Sequence, residues 1–230
     1  LYIAYYGEGD EVFYVDADSV AGDATNFALR VPEVPGPIFE VGVHLNEDVS
    51  FDLDHVGWKG NPNVTFERPK HKGLMWRRAW VDAVDQLLGW SEMFRLVQNE
   101  GLGMISQGAR EWTDYTVTAD VTPHLVSRAG VAARVQGLTR FYALVVTREQ
   151  KVQMLKCVHG ESVIAEADFA WSFGDTLEMT LSVVEDQLVG QVNGKTLLTA
   201  RDSSLDAGAA GLIVEDGRSA THKVRVSSSD

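Results

Sequence analysis

Apolar and polar residues alternate along most of the chain, in short runs rich in Val, Ile, Thr and aromatics and punctuated by Gly, Asp, Asn and Pro. A period of two puts every second side chain on one face, so such runs predict strands with one buried side. The first third contains "LYIAYY", "EVFYVD", "TNFALRV", "IFEVGVHL" and "VSFDLDHVGW". A denser series follows Trp90: "MFRLVQ", "YTVTADV", "GVAARVQ", "RFYALVV", "KVQMLKCV", "TLEMTLSVV", "LVGQVN", "KTLLTA", "AGLIVED" and "HKVRVS". Strands this short and evenly spaced predict sandwiches or jelly rolls. In "VNGKT", Asn193-Gly194 separates two runs and predicts a tight hairpin. Pro32, Pro35 and Pro37 make "VPEVPGP" an extended loop.

One segment breaks the alternation. From Met75 to Leu88, the residues Met75, Trp76, Ala79, Trp80, Ala83, Val84 and Leu87 recur at helical spacing and predict a short helix or helical turn. The charged, Pro-containing "ERPKHKG" before it reads as a linker. The expected fold class is therefore all-β: two antiparallel β-sandwiches joined by a short helical segment. The expected domains are residues 1–69 and 93–230, with the linker at 70–92. The first domain holds about five strands, where a jelly roll commonly uses about eight. The expectation is that upstream strands complete it or that it packs against the second domain.

Composition narrows the partners. Lys plus Arg is 20 and Asp plus Glu is 33, a net charge of −13 in 230 residues. Such a chain repels phosphate backbones, which argues against nucleic acid as the main partner. No apolar run approaches the ~20 residues needed to span a membrane. The single Cys157, inside "KVQMLKCV", excludes an intrachain disulfide framework and reads as a packed core thiol. The chain opens on a strand-like run without an initiating Met or signal-peptide pattern, and so reads as a piece of something longer.

Candidate chemistry centres on a polar row. Arg134 and Gln136 in "GVAARVQ", Arg140 and Tyr142 in "RFYALVV", and Lys156 in the next run line up if the strands pair in register. Planar donors beside an aromatic face are what a saccharide site requires, and cross-strand pairing uses the same residues. Glu166 and Asp168 in "AEADF" have the i, i+2 spacing of a retaining glycosidase pair, and Glu215-Asp216 in "VEDG" is a looser approximation. The wider E-x-D-x-x-E pattern of concanavalin-like glucanases is absent. Asp52 and Asp54 share one side of the run "SFDLDHV". The histidines lack zinc-ligand spacing. Trp76 and Trp80 read as interface fillers, and Trp112 and Tyr115 as anchors of a sandwich edge.

Four segments carry a family resemblance: "DLDHVGWKGNPNVTFERP", "MWRRAWVDAVDQ", "REWTDYTVTADVTPH" and "AGVAARVQGLTRFYAL". Together they resemble the C-terminal β-rich region attached to some bacterial ADP-ribosylglycohydrolase-family proteins, over roughly residues 38–230. That resemblance implies a galactose-binding-like sandwich followed by a concanavalin A-like one, downstream of a helical catalytic domain that this chain does not resemble. The second half also resembles laminin-G-like and 3-keto-disaccharide hydrolase-like domains. The resemblance further implies a structural calcium at Asp54, with Asp52 beside it, and no other cofactor.

The expected function is a non-catalytic accessory module of a larger glycohydrolase that binds carbohydrate or an ADP-ribose-like glycosidic ligand. Two alternatives stand beside it: a glycoside hydrolase of concanavalin A-like fold, and a structural module that orients a neighbouring catalytic domain.

Overall fold

The computed structural model describes residues 1–229 apart from 17–18, 23–26, 35–36, 45–49, 51, 58, 61, 71 and 90–91. Contacts divide the chain into two compact units, Leu1–Gly57 with Pro69–Trp80, and Trp58–Arg68 with Val81–Asp230. The expected division at residues 70–92 does not coincide with them, because each unit takes two separate stretches of chain.

In the first unit, β1 (Tyr2–Tyr6) lies between β2 (Val12–Asp16) and β5 (Ile38–Gly42), while β3 (Ser19–Gly22) pairs with β4 (Phe27–Leu29) as a separate ribbon. Aromatic contacts hold the three-stranded sheet: Tyr5 stacks on Phe13 at 5.5 Å and Tyr6 on Phe39 at 4.3 Å. The described residues of this unit form a small sheet and a ribbon, not the expected galactose-binding-like sandwich. Part of the expected strand at 38–45 and its neighbour from 49 lies outside the described residues.

The expected helical segment is shortened to a single turn. Only Met75–Ala79 turns, as a 3₁₀ helix whose first backbone N–H groups, on Leu74 and Met75, donate to the Asp10 carboxylate at 2.9 Å each. Val81–Ala83 (β7) and Gln86–Leu88 (β8) are strands, both paired with a long strand of the second unit, β9 (Phe94–Gln107). The Asp85 carboxylate accepts from the Asn99 backbone and amide, and Gln98 accepts from the Asp85 N–H. Those cross-strand bonds outweigh the marginal stability of so short a helix.

The second unit also contains β6 (Asn63–Glu67), β10 (Tyr115–His124), β11 (Arg128–Gly137), β12 (Arg140–Thr147), β13 (Lys151–Val158), β14 (Glu161–Asp168) and β15 (Leu177–Val184). Four more complete it: β16 (Gln187–Val192), β17 (Lys195–Arg201), β18 (Ala209–Thr221) and β19 (Lys223–Ser228). A first antiparallel sheet runs β14-β13-β12-β11-β18-β9 and a second β17-β16-β15-β10-β19-β6. The two join where the end of β10 pairs with β18.

Alternation fixes the layers. Val117, Ala119 and Val121 of β10 and Met179, Leu181 and Val183 of β15 are buried, while the positions between them carry hydroxyls and charges. Leu144 of β12 and Met154 of β13 fill the space over Gly190 in β16, which leaves that room by having no Cβ. The outer face of the first sheet is not wet either. Met104, Ala132, Phe141, Ala143, Val145, Leu155 and Ile213 form a second buried apolar cluster there. The hairpin at Asn193-Gly194 forms as the sequence requires, both residues having positive φ. Among the described residues no helix is long and apolar enough to cross a membrane.

Candidate functional site

Of the polar row predicted from sequence, Arg134 and Tyr142 are buried, while Gln136, Arg140 and Lys156 are half-buried. Arg134 has φ +49° and sits at a bulge in β11. An extra residue there flips the alternation: Val135 joins the outer cluster and Arg134 turns inward. Arg134 is 1% exposed and Tyr142 is 0% exposed, which corrects the expected solvent-facing row. Both reach the strap of residues 202–208. Arg134 donates through Nη1 to the carbonyls of Leu205 (2.9 Å) and Glu185 (2.8 Å), through Nε to Thr113 (3.1 Å), and through Nη2 to Asp114 (3.2 Å). The Tyr142 hydroxyl donates to Asp202 (2.6 Å) and accepts from Leu205 N–H (3.1 Å). Lys156 pairs with the other Asp202 oxygen at 2.6 Å. Gln136 donates to Ala207 and accepts from Arg140, whose Nη1 lies 3.4 Å from His159. Burial first, then the Asp202 bond, pushes the Tyr142 phenol up to about 12. Burial alone would raise the Asp202 carboxyl, but bonds from Lys156, Tyr142 and Ser204 hold it well below the usual carboxylate range.

Glu166 and Asp168 lie exposed on β14, an edge strand. Glu166 binds Lys151 and accepts from Gln153 at 2.6 Å, and these bonds, Lys151 first, lower its pKa. A general acid needs the opposite shift. Asp52 and Asp54 are exposed in irregular chain, so strand alternation does not align them. Among the described residues no three His, Cys, Asp or Glu side chains converge on a metal-sized point.

A concavity does open at the edge of the second sheet. It has a volume of ≈ 260 Å³ and is lined by Lys59, Pro62 and Asn63 at β6, and by Ala109, Glu111 and Trp112 between β9 and β10. Trp112 is held from three sides. Its ring packs on Gly108, where a Cβ would collide with it, and meets the Tyr115 ring edge-on at 5.9 Å. Its carbonyl accepts from Gly208 at the end of the strap, 2.9 Å away. The buried Tyr115 hydroxyl donates to the Gly208 and Ala209 carbonyls and accepts the Arg134 N–H at 2.6 Å. Arg134 and its neighbours thus position the pocket wall without entering the pocket.

A charged cluster occupies the outer face of the first sheet. Thr147, Arg128 and Glu215 are direct register neighbours on β12, β11 and β18. Arg128 binds Glu215 through Nε and through Nη2 (3.0 Å), and Glu161, from the far end of β14, through Nη1 (2.6 Å) and Nη2 (3.1 Å). The coil of the sheet brings these diagonal corners together over the apolar cluster. Beside them the Thr147 hydroxyl is buried and, among the described residues, has no hydrogen-bond partner.

No protein-family model matches the sequence, and no curated protein matches it significantly. Solved structures do. The carbohydrate binding module CBM66 from Bacillus subtilis superposes with a TM-score of 0.61 at 20% identity, over 65% of this chain and 96% of the other. A Bacillus subtilis protein of unknown function with a galectin-like fold gives 0.52 at 14% identity, over 68% and 92%. A sialidase gives 0.55 at 10% identity, over 74% and 19%. The fold is a galectin-like, carbohydrate-binding-module-like β-sandwich. Nothing among these likenesses links the chain to ADP-ribosylglycohydrolase-family proteins.

Sequence reasoning missed Lys59, Asn63, Glu111, Arg128, Glu161 and Thr147 as site residues. The turn-rich "KGNPN" was a signal that a loop edges something. Arg128 and Glu161 meet only through the curvature of the sheet, and no sequence spacing encodes that contact.

Proposed function

We propose that the second unit is a carbohydrate-binding module and that it holds a sugar ring in the Trp112 pocket. The pocket itself carries the reading: Lys59, Asn63, Glu111 and Trp112 are among the residues that line a concavity of ≈ 260 Å³. That is slightly below the ~300–1,000 Å³ of sites for drug-sized ligands, and suits a single pyranose or furanose. The indole face stacks on sugar C–H groups while Asn63, Lys59 and Glu111 satisfy the hydroxyls. The sandwich fold supports the reading, since a rigid scaffold with functional edges suits such a role. The sequence resemblance extends the proposal to an accessory role beside a glycohydrolase catalytic domain. The exposed, Lys151-paired Glu166 offers no comparable support for hydrolysis by this chain.

The test is a glycan array followed by calorimetry. Asn63→Ala and Lys59→Ala should each weaken the best ligand several-fold with the melting temperature unchanged. Trp112→Ala should cost at least about tenfold, or about 1.4 kcal/mol. An array on which the parent chain retains no glycan ends the proposal.

A further inference from the structure

We infer that the outer face of the first sheet carries a second saccharide site, built on Arg128, Glu161, Glu215 and Thr147, that grips a vicinal diol of an uncharged sugar. The inference rests on the carbohydrate-binding reading, but the site is separate from the Trp112 pocket. Its first support is the register. Thr147, Arg128 and Glu215 form one transverse row on three adjacent strands, side chains on the same face. The second support is independent of the charges. Thr147 is 2% exposed and, among the described residues, its hydroxyl has no partner. The outward positions preceding it on β12 are Phe141, Ala143 and Val145, so the strand's own pattern asks for an apolar residue there. A valine of the same size would fill the space at no polar cost. A hydroxyl kept where packing does not need it points to a ligand that completes it.

The chemistry selects the ligand. Arg128 commits Nε, Nη1 and Nη2 to two carboxylates, and one of its five N–H donors has no partner in those bonds. The carboxylate oxygens keep lone pairs. A vicinal diol supplies the complement, hydroxyl protons for Glu161 and an oxygen for the remaining guanidinium N–H. Glu161 is the movable wall: its side chain is 35% exposed and stands at the start of edge strand β14, whereas Arg128 is 17% and Glu215 19% exposed. Displacement of Glu161 would admit the sugar to Arg128, whose register neighbour is Thr147. One guanidinium against two carboxylates leaves the cluster negative in a chain of net charge −13, so glycans bearing carboxylate or sulfate are repelled.

The experiment uses the full chain, ¹⁵N-labelled, titrated with neutral methyl glycosides and their oligomers while the Arg128 Nε–H resonance is followed. The expected result is a saturable shift at Arg128 that survives Trp112→Ala. Thr147→Val should raise the melting temperature yet weaken this titration at least fivefold, and Glu161→Gln should weaken it with the fold intact. If Thr147→Val stabilises the chain and leaves the titration unchanged, the hydroxyl is only tolerated and the inference falls. If glycosides bind but Trp112→Ala abolishes every response, the second site falls and the pocket stands. If no glycoside moves any resonance, both fall.

Discussion

Arg134 donates from all three nitrogens of its guanidinium while almost wholly buried, and its partners belong to three separate connections of the second unit. Removing it leaves the Thr113, Glu185 and Leu205 carbonyls without this donor and Asp114 without its cation. Arg134→Met should therefore destabilise the chain by about 3–5 kcal/mol, read as a lower urea midpoint at unchanged slope. Lysine should not rescue, because a single ammonium cannot replace the planar fork. A midpoint shift worth less than about 1 kcal/mol would show that the strap is held by something else. Sequence spacing put Arg134, Gln136, Arg140, Tyr142 and Lys156 in one row, and Arg134, Gln136, Tyr142 and Lys156 each bond the strap of residues 202–208. What it could not register was the positive φ at Arg134, which turns the row from an outer face to an inner one. Backbone conformation at one non-glycine residue leaves no mark in a hydrophobic pattern.

Alternation named most strands of the second unit but not β6, β7, β8 or β14; β10 and β15 bury one face and half-expose the other, whereas β11 and β12 are buried on both. Pairing between distant strands was not legible. β6 hydrogen-bonds β19 from Asn63↔Ser227 to Glu67↔Lys223, joining an early strand to the last one. The segment 75–88 misled for a related reason. Its apolar spacing fits a helix as well as two short strands, and the edge of β9 decided between them. β6 has a testable duty as an edge cover. Replacing residues 63–67 with a Gly-Ser stretch of equal length would bare the N–H and C=O groups of β19, an open template for another chain. The variant should associate in a concentration-dependent way in sedimentation, and should lose glycan binding because Asn63 goes with the strand. A monodisperse variant would show that β19 needs no cover.

For the molecule as a whole, acid stability pits net charge against a few well-paired carboxylates. At neutral pH the chain carries −13 and repels itself; titration toward its pI of about 4.8 relieves that strain. Asp202 acts in the other direction. Its folded pKa is depressed, so the stability it contributes is complete above the unfolded value of about 3.9 and is lost as pH falls through the lower folded value. The strap depends on that carboxylate for Tyr142, Lys156 and Ser204 at once, and the strap in turn anchors the Trp112 carbonyl through Gly208. Asp202→Asn should therefore cost most stability near pH 7, and the gap to the parent should begin to narrow below about pH 4, where Asp202 of the unfolded parent protonates, and close only toward the lower folded value. Because the loss propagates to the pocket wall, glycan affinity should fall in this variant at neutral pH as well. A stability gap that stays constant from pH 7 to pH 3 would mean that the Asp202 charge is not what ties the strap down.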